Sequence, residues 1–210
     1  MTTQNPILKR IKKNEILEME NRFRANFINS ISGFKSVGLI GTISKDNKTN
    51  LAIFSQVFHL GANPALMGFI IRPNTSARHT LENIEDTHFF TFNHIQEEFY
   101  KQAHQTSARY PREVSEFEAT ELTPYFENDF IAPYLKESHF RIGLKLEEKH
   151  NLTINNTIFL IASVQEVILN EEIIEKDGYI DIEKAGTITS SGLDSYHTTN
   201  KIERLPYAKP

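Results

Sequence analysis

The residue types and spacings able to do chemistry concentrate in Asn50 to Ile84, NLAIFSQVFHLGANPALMGFIIRPNTSARHTLENI. Two apolar runs, Leu51 to Leu60 and Ala65 to Ile71, are joined by Gly61-Ala62-Asn63-Pro64, and Arg72-Pro73 stops the second before the polar Asn74-Thr75-Ser76 cluster. The pattern predicts strand, turn, strand and a helix start. There the hydroxyls of Thr75, Ser76 and Thr80, the Arg78 cation and the free amides of the first helical turn would converge on one small volume. A helix start carries unpaired N–H groups and the positive end of the dipole, which suits a phosphate group. A phosphate site is the expectation.

Rival chemistries find less support. The eight histidines include no HExxH pair. His88 and His94 would share a strand face about 20 Å apart at ~3.3 Å per residue, too far for one metal ion. Hydrogen-bonded or solvated histidines are expected instead. Glu116 and Glu118 form the only close acidic pair among apolar neighbours. Two carboxylates alone do not define a reaction, and a surface helix start capped by Ser115 explains them equally well. With no cysteine in the chain, a disulfide framework, thiolate-bound metal and thiol catalysis are excluded. No GxGxxG or GxxxxGK[ST] occurs, so the phosphate site is not a Rossmann or P-loop.

Short strands must hold this corner in place. Val37 to Ser44 reads as a strand in which Gly38 and Gly41 mark either a close approach by backbone or ligand or a barrel corner. Lys45-Asp46-Asn47-Lys48 turns the chain back into an antiparallel partner. Within Leu51 to Leu60, read as one strand, Ser55 and Gln56 interrupt opposite faces, and either a cross-strand bond or a ligand would satisfy them. His88 to Ile95 is a further strand, and residues 96 to 110 read as a helix with Phe99, Tyr100 and Ala103 on one side, ended by Pro111. Turns and a short helix fill Val114 to Glu137. Two long strands follow, Ser138 to Glu148 and Thr157 to Leu169, separated by an Asn-rich turn at 151 to 156. Asp177-Gly178 is another turn, and SSGLDSYHTTNKIERLPYAKP is read as a polar tail. Pro6 to Phe27 carries Ile7, Leu8, Ile11, Ile16, Leu17, Phe23 and Phe27 at helical spacing, predicting one or two amphipathic helices over an open end of the sheet. Six or so strands with few helices predict a mainly β fold with peripheral helices, an antiparallel barrel.

At 210 residues, 39% of them hydrophobic, with 15 Phe and no Trp, the chain suits a single domain over 1–210. Residues 1–30 form a helical extension of it, and 190–210 the tail. The charged N-terminus lacks a secretory core, and nowhere do 18 apolar residues run together, so no membrane association and a cytoplasmic location are expected. A net charge of −4 with scattered basic residues gives no footprint for nucleic acid.

The succession VGLIGTIS, TNLAIFSQVFHLGANPALMGFIIRP, ARHTLENI and HFFTFNHI resembles the flavin reductase-like family. SEFEATELT, APYLKES, NNTIFLIASVQEV and the terminal GLDSY continue the resemblance in order over roughly residues 20 to 200. It implies a Greek-key split β-barrel that binds FMN in a homodimer and takes a hydride from NADH or NADPH. On the family pattern, Arg78, His79 and Thr80 correspond to the phosphate-binding segment, with His79 in place of an acidic residue. Thr42, Asn50 and Ser55 to Phe58, with Gln56 and Val57 between, correspond to the strands that hold the flavin ring. Tyr196 corresponds to an aromatic near the flavin, and His197 is a further candidate on that side. Two departures accompany these: Phe34-Lys35-Ser36-Val37 replaces a Pro-Arg-Pro-Val, and Asn156 stands where many relatives carry histidine.

An NAD(P)H-dependent flavin oxidoreductase is thus the leading expectation. A non-catalytic barrel that stores or senses flavin is the alternative, and a colourless partner-binding barrel is a third.

Overall fold

The computed structural model describes residues 7–73 and 79–209. Two short helices, α1 (Lys13–Glu18) and α2 (Asn21–Ser30), precede strands β1 (Lys35–Ser36), β2 (Gly38–Ile43), β3 (Thr49–Phe54), β4 (Val57–Ala62) and β5 (Ala65–Ile71). Helix α3 (His79–Thr87), strand β6 (Phe89–His94) and helices α4 (Tyr100–Gln105) and α5 (Glu116–Ala119) follow. The rest comprises β7 (Pro124–Tyr125), β8 (Tyr134–Leu135), the long pair β9 (Phe140–Leu152) and β10 (Thr157–Leu169), β11 (Thr189–Ser191) and β12 (Ser195–His197).

Seven strands form one antiparallel sheet in the order β3-β2-β6-β9-β10-β5-β4. Strands β3 and β4 stand at its two ends, yet only Ser55 and Gln56 lie between them in the chain. Laid flat, those edges would be about 29 Å apart at ~4.8 Å per strand. Three Cα–Cα steps reach only about 11 Å. The sheet therefore curls until its ends meet, and the chain crosses the seam at Ser55–Gln56. This is the split barrel that the family resemblance implies. It also corrects the reading of Leu51 to Leu60 as one strand, because that run divides at the seam.

Alternation along β2 separates two cores. Ile40 joins Phe69, Phe90, Ile142 and Leu160 in one cluster, to which α3 adds Leu81 and Ile84. Leu39, one residue earlier, belongs with Leu51, Phe99, Phe117, Leu135 and Ile188 to a second cluster, drawn from β2, β3, α4, α5 and the segments around β8 and β11. The β2 glycines make room for neighbours: a Cβ on Gly41 would meet the Pro133 carbonyl oxygen, and one on Gly38 the Phe92 ring.

Three further expectations need correction. Helices α1 and α2 form in the predicted stretch but bury no side chain, so within one chain they cover no core. Helix α4 stops at Gln105, with Thr106 as its C-cap, well short of Pro111. The supposed polar tail contains a hairpin, β11–β12, whose first strand pairs with β1 through Lys35↔Ser190 and Ser36↔Thr189. Among the described residues no helix is long and apolar enough to cross a membrane.

His94 shows how a histidine serves this core. Its ring packs 4.2 Å from Phe140, its Nδ1 shares a 3.0 Å hydrogen bond with Thr187 Oγ1, and burial holds its pKa down at about 4 against an ordinary 6.5. Between those values the unfolded chain binds a proton that the folded chain refuses. Stability is thus full above pH 6.5 and falls as the pH drops toward 4, by up to about 3 kcal/mol. Urea midpoints measured across that window should slope in the native protein and flatten in His94→Phe; equal slopes would contradict this account.

Candidate functional site

The β2–β3 hairpin and α3 meet through two hydrogen-bonded rungs. Thr42 and Asn50 are directly opposite across the hairpin, so their side chains share a face. On α3, Thr80 and Asn83 are three residues apart and also share a face. The Asn50 Nδ2 donates to Thr80 Oγ1 at 3.1 Å, and Asn83 Nδ2 donates to Thr42 Oγ1 at 3.1 Å. All four side chains are buried, Thr42 completely. The Asn83 Oδ1 has no partner among the described residues.

A polar cleft opens beside these rungs. Lys48, Asn50, His79, Asn83, Arg112 and Glu116 are among the residues lining it. Arg112 is paired with Glu82 on α3. Glu116, expected on a surface helix start, is instead buried: its carboxylate accepts the Leu51 N–H at 3.1 Å. That bond satisfies a backbone donor on β3, an edge strand with no partner on its far side. Burial pushes the Glu116 carboxyl above its ordinary range, opposed by the Leu51 and Glu116 backbone N–H groups and by nearby His79. Ser115 is the N-cap of α5, but its hydroxyl bonds Thr49 at 2.9 Å rather than capping the helix.

At the other end of β3 the seam residues are left open. Ser55 is half-buried and Gln56 exposed, and neither side chain has a hydrogen bond to another described residue. Val57 is buried, and its carbonyl accepts from the Ser36 hydroxyl. The five residue steps from Asn50 to Ser55 cover about 16 Å of strand. That is the scale of an extended ribityl chain carrying a ring at one end and a phosphate at the other.

Of the sequence-predicted residues, Thr42, Asn50, His79 and Thr80 come together at the α3 start, while Ser55, Gln56 and Val57 lie at the seam. Arg78, with Thr75 and Ser76, lies outside the described residues. Tyr196 is on β12. Its ring lies 5.6 Å from Tyr100, and its hydroxyl shares a 2.8 Å hydrogen bond with His104 Nδ1. Burial, with Asp194 adding to it, pushes its pKa up to about 12. His197 bonds Ser191 at 2.8 Å and packs against Phe34. Asn156 has φ 57°, a left-handed turn conformation that asparagine tolerates well, which gives that departure from the family a backbone reason. Sequence reasoning missed Asn83 and the burial of Glu116. Its three-residue spacing from Thr80 was the available signal for Asn83, and Glu116 offered none.

The donor set fits a flavin phosphate in kind, with a hydroxyl and helix-start amides at one end and the polar side chains of Ser55 and Gln56 at the other. Solved structures that share the fold include the following three. A candidate flavin reductase with a split barrel domain from Shewanella frigidimarina NCIMB 400 is 50% identical, with a TM-score of 0.92 over 95% of this chain and 100% of that one. Component B of nitrilotriacetate monooxygenase from Bacillus cereus is 23% identical, with a TM-score of 0.82 over 96% of this chain and 100% of that one. An FMN-binding protein from Thermus thermophilus is 17% identical, with a TM-score of 0.67 over 82% and 90%. Residues 34–184 match the flavin reductase like domain, and they contain the seam, both rungs and the cleft. The chain belongs to the flavin reductase like domain family.

Proposed function

We propose that the protein binds FMN noncovalently along β3, at the interface of a homodimer, and serves as an oxidoreductase that takes a hydride from NADH or NADPH. The observation that carries this reading is the pairing of a hydroxyl-bearing helix start with an open seam at opposite ends of one strand. In it, Thr80 and Arg78 hold the phosphate, His79 adds positive potential, and the backbone groups and hydroxyl of Ser55, with Gln56 and Val57, hold the ring edge. Bound flavin supplies the two-electron acceptor, so the chain need only orient it and exclude water. The family and the FMN-binding protein that shares the fold support the choice of cofactor. A second copy is favoured by apolar residues left exposed near the N-terminus and the seam, among them Phe23, Phe34 and Phe58.

His79 in place of an acidic residue favours the alternative, a barrel that binds flavin without turnover. One experiment separates the two. The purified protein should be yellow, and NADH or NADPH added without oxygen should bleach it within seconds. A yellow protein that neither donor bleaches selects storage or sensing. A colourless protein that takes up no added FMN removes both.

A further inference from the structure

We infer that Asn50 is a positioning residue that fixes the direction of the Thr80 hydroxyl, and that this direction selects a phosphorylated flavin over riboflavin. The inference rests on the flavin reading above.

The two rungs run in opposite senses. In one, the amide is on the strand and the hydroxyl on the helix; in the other, Asn83 supplies the amide from the helix and Thr42 the hydroxyl from the strand. A threonine hydroxyl has one proton to donate and two lone pairs to accept with. The Asn50 N–H occupies a lone pair of Thr80 and repels the hydroxyl proton, which therefore points away from Asn50. No other partner for that proton lies among the described residues. Thr80 is the second residue of α3, where the free backbone N–H groups are donors too. The Thr80 proton and these N–H groups together favour an acceptor without protons of its own, such as a phosphate monoester, over the terminal hydroxyl of riboflavin.

Thr42 takes a different part. It is completely buried, so its hydroxyl cannot reach a ligand. By receiving the Asn83 amide it holds α3 against the hairpin and keeps the Asn50–Thr80 rung in register.

Asparagine and aspartate have nearly the same shape, but a carboxylate only accepts. In Asn50→Asp the Thr80 proton turns inward and lone pairs face the phosphate. The test is titration of flavin fluorescence with FMN and with riboflavin on the full-length protein, with folding monitored by circular dichroism melts. Thr80→Val should weaken FMN binding about tenfold or more, the loss of a hydrogen bond to a charged group. Asn50→Asp should cost at least as much, and Asn50→Ala less, because a freed hydroxyl still rotates to donate. In each variant riboflavin affinity should fall by much less than FMN affinity, the difference between the two amounting to about tenfold or ~1.4 kcal/mol in Thr80→Val. In a Thr80→Val background Asn50→Ala should lose most of its effect, since it acts through a hydroxyl that is gone, while Asn50→Asp keeps the repulsion between its carboxylate and the phosphate.

Equal losses of FMN affinity from Asn50→Ala with and without the Thr80 hydroxyl, or parallel losses for riboflavin, would overturn the orienting role while leaving the flavin reading intact. Should Asn50→Asp not fold, the same comparison made with Asn50→Ala decides. Native protein that binds neither flavin removes the flavin reading and this inference together.

Discussion

Gly41→Ala is expected to cost the fold about 3 kcal/mol or more, although it adds a single methyl group. A Cβ there would stand 2.2 Å from the Pro133 carbonyl oxygen and 2.6 Å from Thr91 Oγ1. Neither atom can yield easily, because Thr91 donates to that same carbonyl at 2.6 Å and both residues are buried against β2. Gly61 offers the contrast, since its nearest backbone neighbour would be 3.2 Å away in a hairpin near the surface. Denaturant midpoints of Gly41→Ala and Gly61→Ala, compared with the native protein, measure the difference. A Gly41→Ala midpoint equal to that of the native protein would show that the 133 segment is not pressed on β2 as described.

Asn93→Leu is the second large effect, expected at about 3 to 5 kcal/mol. The side chain is completely buried and uses both ends of its amide. Its Nδ2 donates to the Leu39 carbonyl at 3.0 Å and to Thr91 Oγ1 at 2.9 Å, while its Oδ1 accepts the Leu135 N–H at 2.9 Å. Leucine matches the shape and makes none of these bonds, so the Leu135 N–H is left buried without a partner. Loss of hydrogen-exchange protection at the Leu135 amide, together with the lower midpoint, would report that event. Full protection there would contradict it. Because Gly41 and Asn93 both secure the Pro133–Leu135 stretch, the double variant should be less damaged than the sum of the two. The same stretch backs β2, which carries Thr42 to α3, so flavin affinity should fall with stability in both variants.

Features decided by a few adjacent residues are legible in the chain itself. The turn at Lys45–Lys48, the break at Arg72–Pro73, the helix that starts after it and the long β9–β10 pair all stand near where the pattern puts them. Turn chemistry and hydrophobic period are local, and local rules suffice there. The division of Leu51 to Leu60 is not legible in that way. The run is apolar but for Ser55, Gln56 and His59, and nothing in it says that β3 and β4 belong to opposite ends of a sheet. That follows only once the sheet has curled. The hairpin within the supposed tail is hidden for a similar reason: its partner is Lys35–Ser36, more than 150 residues earlier.

The candidate site divides the same way. Sequence alone determined which residue types are available, a hydroxyl and a cation at a helix start and a polar pair inside an apolar run, because type and neighbour are written in the chain. Only the tertiary structure decided what each one does. Asn50 faces Thr80 across thirty residues, Glu116 turns inward to a strand edge, and Tyr196 packs on α4. Those roles depend on which buried donors meet which acceptors, and that pairing exists only after distant segments have packed.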